Sequence, residues 1–354
     1  MVKNLVIFTA GSKQIGLGHL TRMRTLTERL GLETKILTTT PVETAAVFRD
    51  YNVQISPLSA GSKPVDIKNI IPQSINKSSI FVLDPPYYPN NPKLSSGPSW
   101  RTVAEIAMNN AATVIRFTDE ETPSIHHCDV LINGHPNALD FADTYQSSST
   151  AQKILAGPTY FLLDNNHILA IPKKTGLFVS LGGSDHNDLS LKFAPALKNI
   201  AKTIPVHIVL GEASGFSDNA FSGINIHRSL APTEFASLLK GAHLALTASG
   251  NTLYERIYHR VPGLSVAQFP RQDLIGQKFD KLNLTRHLGM GIDLNPIELG
   301  REFCNFIECK PLFEEQNIAM GKMNFLTDAK KNYHHHSKSW KHNITFPHRI
   351  TYAQ

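Results

Sequence analysis

Along the first 133 positions, apolar residues fall into short runs separated by longer stretches of helical period. The runs Leu5–Phe8, Thr34–Thr38, Val53–Ser56, Ser79–Asp84, Ala112–Asp119 and Asp129–Asn133 read as strands, because they are brief, rich in Val, Ile, Leu and Phe, and bounded by turn residues. Between them, Leu20–Leu30, Val42–Tyr51 and Trp100–Asn110 repeat apolar residues at helical spacing. Near-continuous apolar strands alternating with helices imply a parallel sheet buried on both faces and joined by crossover helices.

The pattern then breaks and restarts. Gly134 to Gln152 is polar and turn-rich, and Lys173 and Lys174 precede a strong new strand in "GLFVSLGG". From there the rhythm repeats through helix Leu189–Lys202, strands Val206–Gly211 and Ile224–Arg228, helix Thr233–Lys240, strand Ala242–Gly250 and helix Thr252–His259. The expected architecture is α/β, with two Rossmann-like halves: an N-terminal domain over 1–155, a linker over 156–173, a second domain over 174–320 and a histidine-rich tail over 321–354. In that tail His334, His335 and His336 are consecutive, and side chains so placed in regular structure cannot all reach one ion. The tail is therefore expected to be solvated or interdomain, with no metal.

Composition narrows the function classes. The chain has 354 residues, a 41% hydrophobic content and a formal charge of +6, which is enough apolar material for two cores. The basic residues are scattered and lack interleaved aromatics, so nucleic acid is not an expected partner and an anionic small molecule fits better. Three cysteines, Cys128, Cys304 and Cys309, form no paired motif, and reduced thiols in a cytoplasm are expected. No run reaches the roughly 18 apolar residues of a membrane span, which leaves peripheral contact with a membrane or with pathway enzymes open.

Three glycine turns carry the candidate chemistry. Parallel sheets bind ligands at the carboxyl ends of their strands, where glycine lets a ligand approach the backbone. The first turn, "IGLGHLTR", puts Gly18 and His19 between a strand and a helix. At that helix start the dipole favours a neutral imidazole able to accept a proton, although a capping or packing histidine fits the same letters. The second, "SLGGSDHNDLSL", offers Gly182, Gly183, Ser184 and Asp185 ahead of a helix and suits a phosphate or sugar. The third, "TASGNTLYERI", places Ser249, Gly250, Asn251 and Thr252 where helix N–H groups can hold a diphosphate, with Glu255 able to accept from ribose hydroxyls; Asn251 or Thr252 as a plain helix cap is the alternative. Asp84, in "FVLDPPYYP", and Asp119 end strands at the same edge as His19 and are candidates to orient it, with Tyr87 close behind Asp84. The acidic and histidine residues around Glu120, Glu121, His126 and His127 match no ligand spacing.

Together these motifs, with "FTDE…HHCDVLIN", "GPTYFLL" and the region around Gln272, resemble the UDP-2,4-diacetamido-2,4,6-trideoxy-β-L-altropyranose hydrolases of pseudaminic acid biosynthesis, over roughly residues 1 to 295. The resemblance implies a GT-B fold, similar to the peptidoglycan N-acetylglucosaminyltransferase, in which two Rossmann-like domains face each other across a cleft. It implies His19 as the base that activates water, with Asp84 and Tyr87 beside it; UDP on Ser249, Gly250, Asn251, Thr252 and Glu255; and the sugar near Gly18, Gly182, Gly183, Ser184, Asp185 and Gln272. No metal and no organic cofactor are implied. Departures from the family fall at Phe8, Ala10, Pro85 and Arg271, on the water or acceptor side. They keep two alternatives in view: a glycosyltransferase using the same site, and a nucleotide-sugar binding protein without catalysis.

Overall fold

The computed structural model of the chain describes residues 4–12, 16–58, 64–85, 100–111, 113–119, 127–163, 176–183, 185–211, 215–323 and 325. Its first part builds β1 (Asn4–Thr9), α1 (Gly18–Leu30), β2 (Glu33–Thr38), α2 (Pro41–Val47), β3 (Val53–Pro57), α3 (Pro64–Ser74), β4 (Ser79–Asp84), α4 (Trp100–Asn110), β5 (Thr113–Phe117), β6 (Val130–Asn133), α5 (Ala142–Ser148) and β7 (Lys153–Ala156). The seven strands pair in parallel in the order β3-β2-β1-β4-β5-β6-β7.

The second part continues with β8 (Leu177–Ser180), α6 (Leu189–Ala201), β9 (Val206–Leu210), β10 (Asn225–Arg228), α7 (Pro232–Lys240), β11 (Leu244–Ala248), α8 (Asn251–Tyr258), β12 (Gly263–Ala267), α9 (Pro270–Lys281), β13 (Arg286–Met290), α10 (Pro296–Glu308) and α11 (Lys310–Lys322). Its six strands are also parallel, ordered β10-β9-β8-β11-β12-β13. Both sheets are thus doubly wound, and each reverses its strand order once, between β1 and β4 and between β8 and β11.

Strand alternation fills both faces of each sheet. Val6, Phe8, Phe81 and Leu83 enter one core of the first sheet, while Leu5, Ile7, Ile80 and Val82 enter the other. In the second sheet Leu177, Val179, Leu244 and Leu246 pack toward α6 and α10, and Phe178 and Ala245 pack on the opposite side. A further cluster joins the segment after β7 to the second part: Phe161 and Leu163 pack with Leu253, Tyr254 and Ile257 of α8, Ile275 and Phe279 of α9 and Met320 of α11.

Several sequence expectations change. The helix expected to reach Tyr51 ends at Val47, and α3 was not expected, its apolar period being interrupted by Pro72 inside the helix. The polar interval 134–152 holds a 3-10 turn at Pro136–Phe141 and α5, after which β7 adds a seventh strand. The tail expected from 321 begins inside the last turn of α11. Its histidines lie outside the described residues.

Candidate functional site

At the carboxyl edge of the first sheet, β1 and β4 lie side by side with Thr9 in register with Asp84, and α1 starts next to them. His19 does not cap that helix: the N-cap is Leu17, which makes no side-chain cap bond. Its imidazole turns instead to Asp84, with Nδ1 2.9 Å from Oδ1. Asp84 is wholly buried, and burial alone would raise its pKa and oppose ionisation, but the Arg22 guanidinium and His19 outweigh that and hold the carboxyl below the usual range. An ionised carboxylate only accepts, so His19 Nδ1–H donates to Asp84, and in the tautomer with that single ring proton Nε2 is the nitrogen able to accept another.

Arg22, one turn after His19, bridges two carboxylates. Its Nε donates to Asp84 Oδ2 at 3.1 Å and its Nη1 to Asp119 Oδ1 at 2.9 Å, while Nη2 also donates to Asp84 Oδ1 and lies 3.1 Å from His19 Nδ1. The guanidinium rests over the Phe117 ring, 5.2 Å from its centroid. Asp119 follows β5 and is shared by four groups: Arg22, His135 Nε2 at 3.2 Å, His19 Nε2 at 3.6 Å and Arg271 Nη2 at 3.7 Å. Burial would raise its pKa and oppose ionisation, yet Arg22, Arg271 and His135 together hold it well below the normal carboxylate range. His135 is itself kept neutral, because burial lowers its basicity further than Asp119 restores it. Its Nε2–H therefore donates to Asp119, and its Nδ1 accepts from the Tyr254 hydroxyl at 2.8 Å.

The second sheet presents its own carboxyl edge. Gly250 is the N-cap of α8 without a side-chain bond, so neither Asn251 nor Thr252 acts as the cap, and the first amides of the helix point beyond its end. Ser249 is fully buried and forms the floor of this turn, sending both its N–H and its hydroxyl to the Val266 carbonyl, at 2.8 and 3.2 Å. Glu255 sits partly buried on the same helix. In the turn after β8, the buried Asp185 accepts from the Leu189 and Ser190 N–H groups of α6 at 3.0 and 2.8 Å and from Gln268 Nε2 at 2.7 Å. Its carboxylate thus ties the start of α6 to the Gln268 side chain. Gln272 Oε1 accepts from the Gln268 N–H at 3.0 Å, and its Nε2 overlies Gly250, where a Cβ would stand 3.1 Å from it.

The two edges meet. A Cβ on Gly18 would lie 3.3 Å from Asn251 Nδ2, so the first and third glycine turns touch directly and any side chain at 18 would press on Asn251. Tyr254 reaches from α8 to His135 while stacking on Phe161, with centroids 3.7 Å apart, and Arg271 reaches from α9 to Asp119. His19, Asp84, Gly18, the 250–252 amides and Gln272 are therefore brought together, while Tyr87 and Ser184 lie outside the described residues. Sequence reasoning passed over Arg22, His135 and Tyr254. Their signals were Arg22's position three residues after His19 on one helix face and His135's place two residues past a strand end. Among the described residues no group of three or more His, Cys, Asp and Glu converges as a metal centre, and no helix is long and apolar enough to cross a membrane.

No protein-family model matches the chain. The spore coat polysaccharide biosynthesis protein SpsG of Bacillus subtilis is 25% identical over 297 residues, covering 80% of this chain and 83% of that protein. The Helicobacter pylori protein named as pseudaminic acid cytidylyltransferase and UDP-2,4-diacetamido-2,4,6-trideoxy-beta-L-altropyranose hydrolase is 25% identical over 163 residues, which are 45% of this chain and 30% of that protein. Among solved structures, Acinetobacter baumannii MurG superposes with a TM-score of 0.60 at 14% identity, over 94% of this chain and 99% of that one. The fold is GT-B, two Rossmann-like units opposed at their carboxyl edges.

Proposed function

We propose that this chain cleaves a UDP-linked acetamido-deoxy sugar at the C1–O bond and releases UDP, with water as the nucleophile and His19 as its base. The observation that carries the reading is the Asp84–His19 pair: a buried ionised carboxylate fixes Nδ1–H, and Nε2 remains to take a proton from an attacking hydroxyl. Gly250, Asn251 and Thr252 would hold the diphosphate through helix N-terminal amides, opposite charge to the developing UDP anion, with Glu255 on the ribose and Gln272 toward the sugar. Ser249 and Asp185 act one step back, keeping the two turns in shape. The domains assigned here are 1–155 for the nucleophile side and 174–320 for UDP. The partial match to the bifunctional Helicobacter pylori hydrolase supports the substrate class.

The second reading keeps the site and replaces water by an acceptor hydroxyl. It is supported by the match along most of the chain to a protein named for spore coat polysaccharide biosynthesis. A third, a nucleotide-sugar binding protein without turnover, predicts UDP affinity and no product. Incubation of UDP-acetamido sugars in 18O-water separates them: hydrolysis at C1 gives free sugar with no label in the UDP phosphates, label in UDP means P–O cleavage, and a glycosylated acceptor means transfer.

A further inference from the structure

We propose that Asp119 is the second catalytic carboxylate of this site: its Oδ2 and His19 Nε2 together seat a nucleophile that brings two protons on one oxygen, which selects water over an alcohol. This deepens the hydrolytic reading above and rests on it. The two atoms are 3.6 Å apart, longer than a hydrogen bond, and with His19 protonated on Nδ1 both are acceptors. One oxygen about 2.8 Å from each subtends about 80° between them, narrower than the roughly 105° opening of a water molecule, so both of its O–H bonds reach an acceptor with a bend of only about 12° each. A sugar hydroxyl has a single proton and leaves one of the two acceptors unpaired in a nearly closed site, where His19 is 15% and Asp119 9% exposed. An unpaired buried acceptor disfavours the alcohol by about tenfold or more.

The surroundings keep Oδ2 in that role. Arg22 and His135 occupy Oδ1 and leave Oδ2 facing the imidazole. Arg271 Nη2, enclosed and without a hydrogen-bond partner, stands 3.7 Å from Oδ2 as a positive charge that holds it ionised. Arg271 and the Tyr254–His135 bond both come from the second half of the fold, so Asp119 is fully aimed only when the two halves are in contact. In the reaction the water oxygen bonds to C1 and the C1–O bond to the β-phosphate breaks, its electron pair leaving with UDP. One water proton passes to His19 Nε2; the other stays on the new sugar hydroxyl, held by Asp119 Oδ2 during attack.

Two measurements on the full chain test this. A high-resolution crystal structure with UDP added should show an ordered oxygen within about 3.2 Å of both His19 Nε2 and Asp119 Oδ2. Side chains in these positions without that oxygen, or a direct Nε2–Oδ2 hydrogen bond, overturn the proposal. With UDP-2,4-diacetamido-2,4,6-trideoxyhexose as probe and methanol as competing nucleophile, wild type should give free sugar and Asp119→Asn should raise the methyl glycoside to free sugar ratio at least tenfold. A ratio unchanged in the variant overturns the proposal even if its rate falls, since a structural loss slows both products alike. If wild type makes no free sugar, the hydrolytic reading fails and takes this one with it. If the ordered oxygen is absent while His19→Asn is inactive, the base assignment stands and only Asp119's role fails.

Discussion

At the residue scale the site is organised by two buried carboxylates with different duties. Asp84 fixes a tautomer and Asp119 collects charges from both halves. Both are ionised in the fold at lower pH than in the unfolded chain, where a carboxyl titrates near 4. Their contribution is therefore complete above about pH 4 and is lost as pH falls through the folded-state values. Replacing Asp84 by Asn should cost about 3 kcal/mol or more at pH 7, because Arg22 loses one of two buried counter-charges. The same variant should lose less additional stability than wild type between pH 4 and pH 2.5. Urea unfolding across that range checks this, and parallel acid profiles for the two proteins would contradict it.

At the element scale the glycine turns are shaped by close backbone approach. A Cβ on Gly211, at the end of β9, would stand 1.9 Å from the Gly183 carbonyl oxygen, so the turn after β8 must shift if one is added. Gly211→Ala should destabilise by about 1–3 kcal/mol and weaken UDP-sugar binding. Gly300, inside α10 with open space around it, is the control: Gly300→Ala should stabilise by about 0.5–1 kcal/mol. Thermal unfolding reads both, and equal signs would refute the packing argument. The long apolar strands and the helices between them were legible in the letters because parallel strands buried on both faces write continuous apolar runs. The 3-10 turn, α5 and β7 were not, since their apolar residues are few and β7 depends on pairing with β6. His19 and the third glycine turn were legible for the same reason as the strands, being tied to strand ends. The internal partners of Asp185 and Ser249 were not legible, because sequence shows residue type but not the direction in which a carboxylate or hydroxyl turns.

At the scale of the whole molecule, two doubly wound sheets oppose their carboxyl edges and are bridged by Tyr254 to His135, Arg271 to Asp119 and Lys278 to Asp140. Tyr254→Phe removes one bridge while leaving the α8 amides in place. Turnover should fall several-fold with UDP affinity within twofold of wild type, read by steady-state kinetics and calorimetry. Loss of UDP affinity in proportion to turnover would mean that Tyr254 serves the nucleotide pocket and not the apposition of the halves. That apposition makes His19, from the first half, and the Gly250–Thr252 turn, from the second, parts of one site. Product analysis of UDP-acetamido sugars with wild type and His19→Asn tests it most directly. Wild type should give UDP and free sugar, and the variant a rate lower by about 100-fold or more with UDP still bound; full turnover by His19→Asn would contradict a base role for His19 in a shared site.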